Sequence, residues 1–163
     1  GKLLSPEEIT NPEAAPYKER LVDYEGGRAF LLVEQVDTKH HRPILITQKD
    51  IRELQLAKGA ISAGIKILFE RCGIESEGVS EVLLAGAFGN YLNPHSACVV
   101  GVIPGELELK VRMVGNAAGA GAKLSLISVD EYLRASTIAR QVEYVELGTY
   151  PDFNTIFAKS MLF

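Results

Sequence analysis

The hydrophobic positions of the N-terminal third are grouped in short runs of β-favouring residues. Two runs lie within residues 17–37 and are separated by Gly26 and Gly27, and a third run covers residues 43–47. Glycine accepts the positive φ that a tight turn requires, so the glycine pair predicts a β-hairpin between the first two runs. This part of the chain is therefore expected to form three strands.

From Thr47 onward, apolar residues recur at the spacing of a helix with one apolar face. Thr47 is a residue type that caps helices, Asp50 follows three residues later, and the repeat continues to Gly73. A helix is therefore predicted over residues 47–72, with its apolar face packed on a sheet that contains residues 82–85. That face comprises Ile51, Leu54, Ala57, Lys58, Ile61, Ile65 and Leu68.

The second half of the chain alternates strand and helix patterns. Strands are predicted over residues 79–86, where the continuous apolar run indicates cover on both faces, and over residues 110–115 and 143–148. Four helices are predicted, which begin after Asn93, at residue 116, at a Ser128 cap and at Pro151, the last ending at residue 162. This alternation is typical of an α/β domain in which helices cover a sheet.

Length and composition allow one domain with one sizeable core. The chain has 163 residues, of which 47% are hydrophobic and 23% charged. Residues 1–16 contain three prolines and predict an irregular linker with one helical turn after Ser5, so the domain is expected to span residues 17–163. The first residue is glycine, which a processed or excised piece of a longer protein would explain.

The charge pattern argues against nucleic acid and membrane partners. The formal net charge is −4, and no cluster of lysine and arginine offers a basic surface to phosphates. No apolar run approaches the roughly 20 residues of a spanning helix, and the N-terminus lacks the regions of a signal peptide. We therefore expect a cytoplasmic protein.

Two predicted strands end in turns with little side-chain bulk. One ends in Gly86, Ala87 and Gly89, and the other ends in Gly115. Backbone without side chains lets a flat or charged ligand approach, and a helix that follows points its free N–H groups at the same place. At neighbouring parallel strands the two turns would form one cleft. Alternatively, the small residues serve only to bring a helix close to the sheet.

The cysteines and histidines do not form a metal-binding pattern. Cys72 and Cys98 lie in unrelated segments and predict reduced structural thiols, with no metal and no iron–sulfur cluster. Adjacent side chains on a strand point to opposite sides, so we expect His40 and His41 in an exposed loop rather than on a metal. His95 is expected near the cleft but in a structural role.

Several segments resemble known ATPases. The long helix, then EVLLAGAFGNYLNP, then VGNAAGAGAKLSL, resembles the second half of the sugar kinase, heat-shock chaperone and actin (ASKHA) superfamily. A closer resemblance is to the C-terminal region of reductive activators of corrinoid proteins. It spans residues 44–163 and includes the segments ITQKDIRELQLAKGAISAGIKIL, YVELGTYPDF and SMLF. The fold implied is an α/β, ribonuclease H-like (actin-like ATPase) half-domain: a mixed sheet with helices packed on it.

The resemblance implies an ATP-dependent protein that reduces an inactive Co(II) corrinoid to Co(I). ATP or ADP with Mg would bind the complete domain, and the electron would come from a [2Fe-2S] domain outside this chain. The implied partners are a corrinoid protein or corrinoid-dependent methyltransferase, the protein's own N-terminal domains, and a second copy. DxGT-type phosphate turns and a cysteine set for the cluster are absent from this sequence. We therefore expect the chain alone to be inactive, with no catalytic residue of its own.

The resemblance also implies a set of nucleotide-binding residues. The first turn is the adenosine motif and would line the purine and ribose, while the second begins the helix that connects the two lobes. From their spacing rather than the resemblance, two residues on one face of the long helix are placed to reach the nucleotide from the side, although a solvated helix face explains them nearly as well. The set comprises Gly86, Ala87, Phe88, Gly89, Asn90, Gly115, Asn116, Gly119, Gln55 and Lys58.

Two other functions remain open on the residues alone. One is a non-catalytic dimerisation or partner-binding domain that has the same fold without binding nucleotide. The other is part of a small-metabolite kinase, although the sequence offers no recognisable base for a phosphoacceptor. Nucleotide affinity separates the first alternative from an ATP-dependent activator.

Overall fold

The computed structural model describes residues 2–86 and 91–163, and within them the chain forms two compact units. The first unit comprises the residues up to Ala57 together with Met161–Phe163, and the second comprises Lys58–Ser160. The boundary expected at residue 16 lies inside the first unit and stays a prediction. Among the described residues, no helix combines the length and apolar character needed to cross a membrane.

The first unit contains the three predicted strands. They are β1 (Leu21–Tyr24), β2 (Gly27–Val33) and β3 (Ile44–Thr47), which form an antiparallel sheet in the order β1-β2-β3. Glu25 (φ 49°) and Gly26 (φ 75°) form the turn between β1 and β2. Two successive residues with positive φ match the right-handed twist of the flanking strands, so the predicted hairpin is confirmed.

The N-terminal residues are more regular than the irregular linker that was expected. A 3₁₀ helix follows Ser5 at Pro6–Glu8, as predicted, and a second, unpredicted one covers Pro12–Arg20. Ser5 and Glu8 form a reciprocal cap: Glu8 Oε2 accepts from Ser5 N at 2.5 Å, and Ser5 Oγ accepts from Glu8 N at 3.2 Å. The Leu3 amide also donates to Gln48 Oε1 at 2.7 Å, which ties this segment to the rest of the unit.

The Glu8 cap should respond to acid. The pKa of Glu8 is lowered from 4.5 to about 2. The hydrogen bond from the Ser5 backbone is the largest cause, and the hydrogen bond from the Lys2 ammonium is the second. A lowered folded-state pKa gives stability that is present above pH 4.5 and is lost as the pH falls towards 2. NMR titration of the Glu8 carboxyl should therefore give a midpoint near 2, whereas a midpoint near 4.5 would contradict the cap. Ser5→Ala should move the midpoint upward, and Lys39→Ala is the control.

The long helix α1 (Gln48–Cys72) has the predicted extent and start. Asp50 Oδ2 accepts from both the Thr47 amide and the Thr47 hydroxyl at 2.7 Å, while the Asp50 amide donates to Thr47 Oγ1 at 3.3 Å. The hydrogen bonds from Thr47 lower the pKa of Asp50. The cap that the sequence predicted therefore fixes the first turn of α1.

The buried face of α1 differs from the predicted one. Leu54, Ile61 and Leu68 are 40%, 41% and 46% exposed, so the predicted apolar face is wrong at these three positions. Lys58 of the predicted face is buried, and the other buried residues lie outside that face: Gly59, Ser62, Ala63 and Ile67. Most of these side chains are small, and small side chains let neighbouring segments approach the helix closely. At Gly64, for example, a built Cβ would lie 3.5 Å from Leu147 Cδ1. The prediction was based on the spacing of hydrophobic residues, whereas the observed packing of the helix favours small side chains.

The second unit contains a parallel pair of strands, β4 (Val82–Ala85) and β5 (Val111–Gly115). Val82 and Leu84 pack on a core of Ala97, Ile103 and Leu107. Leu83, on the other face of β4, is 54% exposed. Helices therefore cover one face of this pair within the described residues, and the expectation of cover on both faces is wrong.

Among the described residues, four further α-helices follow in the second unit: α2 (Pro94–Val100), α3 (Ala117–Ile127), α4 (Val129–Gln141) and α5 (Phe153–Ser160). The predicted Ser128 cap forms at α4, and Asn93 and Asn116 cap α2 and α3. Asn93 Oδ1 accepts from Ser96 N at 2.9 Å, and Ser128 Oγ accepts from Glu131 N at 3.3 Å. Polar caps of this kind satisfy N–H groups that have no partner inside the helix.

Residues near the C-terminus depart from the prediction. No strand forms over residues 143–148: the backbone is irregular and then makes a 3₁₀ turn at Leu147–Thr149. A strand needs a neighbouring strand for its backbone groups, and here side chains hold the segment, with Arg71 paired to Glu143. The last helix starts at Phe153 rather than Pro151, because Asp152 has φ 58°, and it ends at Ser160 rather than 162.

Candidate functional site

The two glycine turns of the second unit meet at the carboxyl ends of β4 and β5. The Gly86 amide donates to the Gly115 carbonyl at 2.7 Å, directly after the register pair Ala85↔Gly115. Gly86 has φ 70° and Gly115 has φ 62°, a conformation that side chains disfavour. The expectation that both turns lie at one sheet edge is therefore confirmed for these two residues.

Among the described residues, nothing fills the space beside Gly86. A Cβ built on Gly86 meets no described atom within 4 Å. Close packing with the described residues therefore does not explain this glycine, although its positive φ does. A ligand that approaches the turn would meet backbone rather than a side chain. Ala87, Phe88, Gly89 and Asn90, which were predicted to bind the purine and ribose, lie outside the described residues.

Asn116 and Gly119 form the cap of α3. Asn116 Oδ1 accepts from the Gly119 amide at 2.9 Å, and a Cβ on Gly119 would lie 2.6 Å from Asn116 Nδ2. Gly119 thus leaves room for the capping side chain, which is a reason for this glycine that needs no ligand. The first N–H groups of an 11-residue helix still point towards the Gly115 turn, where a helix favours negative charge.

Alanine at Gly119 should weaken the α3 cap. We expect Gly119→Ala to lower the free energy of unfolding by about 0.5–2 kcal/mol, because the new Cβ displaces the Asn116 side chain. Gly121→Ala is the matched control: its Cβ meets nothing within 4 Å, so it should be neutral or stabilise by up to about 1 kcal/mol. Chemical denaturation of the full-length protein measures both, and equal effects of the two substitutions would contradict the cap.

Gln55 and Lys58, the predicted side contacts, have partners of their own. Gln55 Nε2 donates to the Met161 carbonyl at 3.0 Å within the first unit. Lys58 belongs to the second unit, is 4% exposed, and its Nζ lies 3.1 Å from a Cβ built on Gly101. Burial, followed by the charge of Lys66, lowers the pKa of Lys58. A role for either residue in nucleotide binding stays a prediction.

A polar groove of about 1210 Å³ in the first unit was not predicted. It lies among the N-terminal segment, the β1–β2 turn and the first turns of α1. Acidic and basic groups both line it, and Gln55 contributes as well; the charged residues are Lys2, Glu7, Glu8, Asp23, Arg28 and Arg52. With opposite charges interspersed, the groove suits a polar ligand rather than an apolar one.

The titratable residues of the second unit form pairs rather than a metal centre. His95 Nδ1 lies 3.0 Å from Glu108 Oε1, and the Cys98 thiol donates to the Pro104 carbonyl at 3.9 Å. Burial, followed by the nearby acidic residues Glu108 and Glu106, raises the pKa of Cys98. Across residues 2–86 and 91–163, no three His, Cys, Asp or Glu side chains group so that they could hold a metal ion.

The sequence matches a known family over nearly its whole length. A family model described as the C-terminal domain of RACo, the ASKHA domain, matches residues 2–163. The chain is 39% identical over 157 residues to the corrinoid activation enzyme RamQ of Eubacterium limosum. It is 28% identical over 116 residues to the [Co(II) methylated amine-specific corrinoid protein] reductase of Methanosarcina barkeri.

A solved structure has the same fold. The chain superposes with a TM-score of 0.78 and 32% identity on a protein titled reductive activator for corrinoid, iron–sulfur protein. The superposition covers 91% of this chain and 24% of that one. The sequence matches likewise cover 92% and 70% of this chain but 26% and 21% of RamQ and the reductase. The chain thus spans about a quarter of the length of these relatives, and the expected ASKHA fold is confirmed.

Proposed function

Because the chain belongs to the family of C-terminal ASKHA domains of RACo, we propose that it is the nucleotide-binding part of an ATP-dependent reductive activator of corrinoid proteins. The observation that carries this proposal is the meeting of the Gly86 and Gly115 turns, with φ of 70° and 62°, beside the start of α3. Two turns without side chains at one edge of a parallel strand pair favour a ligand that contacts backbone.

Adenosine of ATP or ADP is the ligand that we propose for these turns. Gly86 and Gly115 would contact it through their backbones, and Asn116 would hold the start of α3 with its helix dipole directed at negative charge. ATP with Mg, when bound, would supply the free energy that makes an unfavourable electron transfer proceed. The residues fit such a ligand because no described atom lies within 4 Å of a Cβ built on Gly86, and because the Asn116 cap holds the start of α3 in place.

The proposed reaction is a one-electron reduction. A [2Fe-2S] cluster outside this chain would give up one electron, and the cobalt of a corrinoid substrate would pass from Co(II) to Co(I). The partner would be a corrinoid protein or a corrinoid-dependent methyltransferase, together with the N-terminal domains of the same protein, in the cytoplasm. RamQ is named as a corrinoid activation enzyme and the second relative as a corrinoid protein reductase, which supports this substrate class.

Anaerobic absorbance spectroscopy tests the proposal. The full-length protein, with a chemical reductant and a Co(II) corrinoid protein, should produce the Co(I) spectrum when MgATP is added. Omission of ATP or of the reductant should leave Co(II) unchanged. Co(I) formation at the same rate with and without ATP would contradict the nucleotide-binding function. No reduction under any condition, together with measurable ATP binding, would contradict the corrinoid function instead.

A further inference from the structure

The polar groove of the first unit contains two pairs of opposite charges. Lys2 Nζ lies 3.1 Å from Glu8 Oε1, and the Glu8 side chain also takes part in the cap of the first 3₁₀ helix. Arg28 and Asp23 are opposite residues of β1 and β2, with Arg28 Nη2 3.9 Å from Asp23 Oδ1. These four charges of the groove are therefore balanced from within the protein.

Two further charges in the groove, those of Glu7 and Arg52, have no partner in the described part of the chain. Neither side chain forms a hydrogen bond or an ion pair with residues 2–86 or 91–163. One is an acid, the other is a base, and both line the same groove. A ligand with one negative and one positive group would supply the partner that each side chain lacks.

Helix α1 presents a polar face to the groove. Gln48, Arg52 and Gln55 all line it, and spacings of four and three positions place them on one side of the helix. Gln48 Oε1 accepts from the Leu3 amide at 2.7 Å, and Gln55 Nε2 donates to the Met161 carbonyl at 3.0 Å. Arg52 therefore lies between two side chains that the protein already holds in place.

Gly27 also lines the groove, and the described residues give no reason for a glycine there. It is the first residue of β2 and its φ lies outside the left-handed region, so its backbone conformation does not require glycine. A Cβ built on Gly27 would meet only the Tyr24 carbonyl oxygen within 4 Å, at 3.8 Å, which is an ordinary contact. An occupant of the groove would explain the missing side chain.

We propose that the polar groove binds a small zwitterion of the amino acid or short peptide class. The Arg52 guanidinium would bind the ligand's carboxylate, to which it can donate two parallel hydrogen bonds, and the Glu7 carboxylate would accept from the ligand's ammonium group. Sites of about 300–1,000 Å³ hold drug-sized molecules, so a groove of about 1210 Å³ has room for several residues of peptide. This inference does not depend on what the glycine turns bind.

Calorimetry with oligoglycines on the full-length protein tests the ligand class. Glycine, diglycine, triglycine and tetraglycine carry the same two end groups, and each added residue separates them by up to about 3.5 Å. The length that binds best distinguishes a free amino acid from a peptide. The N-acetyl and C-amide forms of that ligand each lack one charge and should bind about 10-fold more weakly or less. Equal affinity of the free and blocked forms, or no binding of any oligoglycine, would overturn the proposal.

Substitutions of the two charged side chains test the two ends of the ligand separately. Glu7→Gln should lower the affinity for the free ligand about 10-fold and leave that for the N-acetyl form unchanged. Arg52→Gln should lower it by a similar factor and leave the affinity for the C-amide form unchanged. Glu53→Gln, beside Arg52 on α1 but outside the groove, is the control and should bind like the wild type. Wild-type affinity for the free ligand in either groove variant would overturn the proposal.

Valine at Gly27 tests whether the ligand lies in this groove. Valine is favoured in strands and its Cβ is not crowded here, so Gly27→Val should keep the melting temperature of the wild type. Its side chain would take up space that we assign to the ligand, and the affinity should fall about 10-fold or more. Unchanged affinity, or a loss of affinity that appears only with a lower melting temperature, would overturn this placement.

Discussion

Asparagine at Gly86 should strongly weaken ATP and ADP binding while the fold stays close to native. Gly86 has φ 70°, and among residues with a side chain asparagine tolerates this conformation best. Its side chain would enter the open space beside the turn, where we propose that the nucleotide lies. We expect the affinity measured by calorimetry on the full-length protein to fall by about 100-fold, which corresponds to about 2.7 kcal/mol.

A second glycine provides the matched control for this substitution. Gly73, after the end of α1, has φ 62° and likewise no atom within 4 Å of a built Cβ. Gly73→Asn should therefore impose the same small backbone strain without a change in nucleotide affinity. Unchanged affinity in Gly86→Asn, or a collapsed melting transition in that variant alone, would show that Gly86 serves the fold rather than a ligand. Valine is a poorer probe at this site, because a β-branched residue is strained at positive φ whatever the ligand.

Alanine at Leu107 should strongly destabilise the second unit. Leu107 is 2% exposed and packs with Ala97 and Ile103 beneath β4 and β5. Its truncation removes buried methyl groups and leaves a cavity, so we expect a loss of about 2–5 kcal/mol in the free energy of unfolding. The Gly86 and Gly115 turns lie at the ends of the strands that pack on this core. The affinity for ATP and ADP should therefore fall as the unit unfolds.

Leu109, two residues along the chain, provides the control for this prediction. It is 99% exposed, so Leu109→Ala removes the same atoms without loss of burial and should change stability by less than about 0.5 kcal/mol. Denaturant titration of the full-length protein resolves the difference. Similar losses for the two alanine variants would mean that the core does not lie beneath the parallel strands as described.

The helix starts and the hairpin could be predicted because short-range chemistry determines them. Thr47 with Asp50 and Ser128 with Glu131 form the predicted caps, and the helix predicted after Asn93 begins at Pro94. The hairpin followed from Gly26, since few residues accept positive φ. Such features depend on residues within one turn of each other, which a sequence displays directly.

Features that depend on distant neighbours could not be predicted in this way. The buried stripe of α1 includes Gly59 and Ala63 rather than Leu54 and Ile61, because the neighbours of the helix come close enough to require small side chains. Residues 143–148 have strand composition but no adjacent strand to receive their hydrogen bonds. Both outcomes depend on which segments meet in space.

The candidate site was predicted in part for similar reasons. Gly86 and Gly115 meet because the ends of adjacent parallel strands lie at one edge, a relation that the strand order indicates. Gly119 makes room for the Asn116 side chain that caps α3, a local role, whereas the resemblance implied that it contacts the nucleotide. The polar groove at the β1–β2 turn depends on the N-terminal segment lying beside α1, which the sequence did not indicate.

Photolabelling locates the nucleotide most directly. The full-length protein would be irradiated with 8-azido-ATP, whose reactive group is on the purine, and the labelled peptides would be mapped by mass spectrometry. A nucleotide site at the glycine turns predicts label in the peptides that contain Gly86 or Gly115, with loss of that label when excess ADP competes. Label that ADP removes only from other peptides, or no label that ADP removes, would contradict a nucleotide site at the glycine turns.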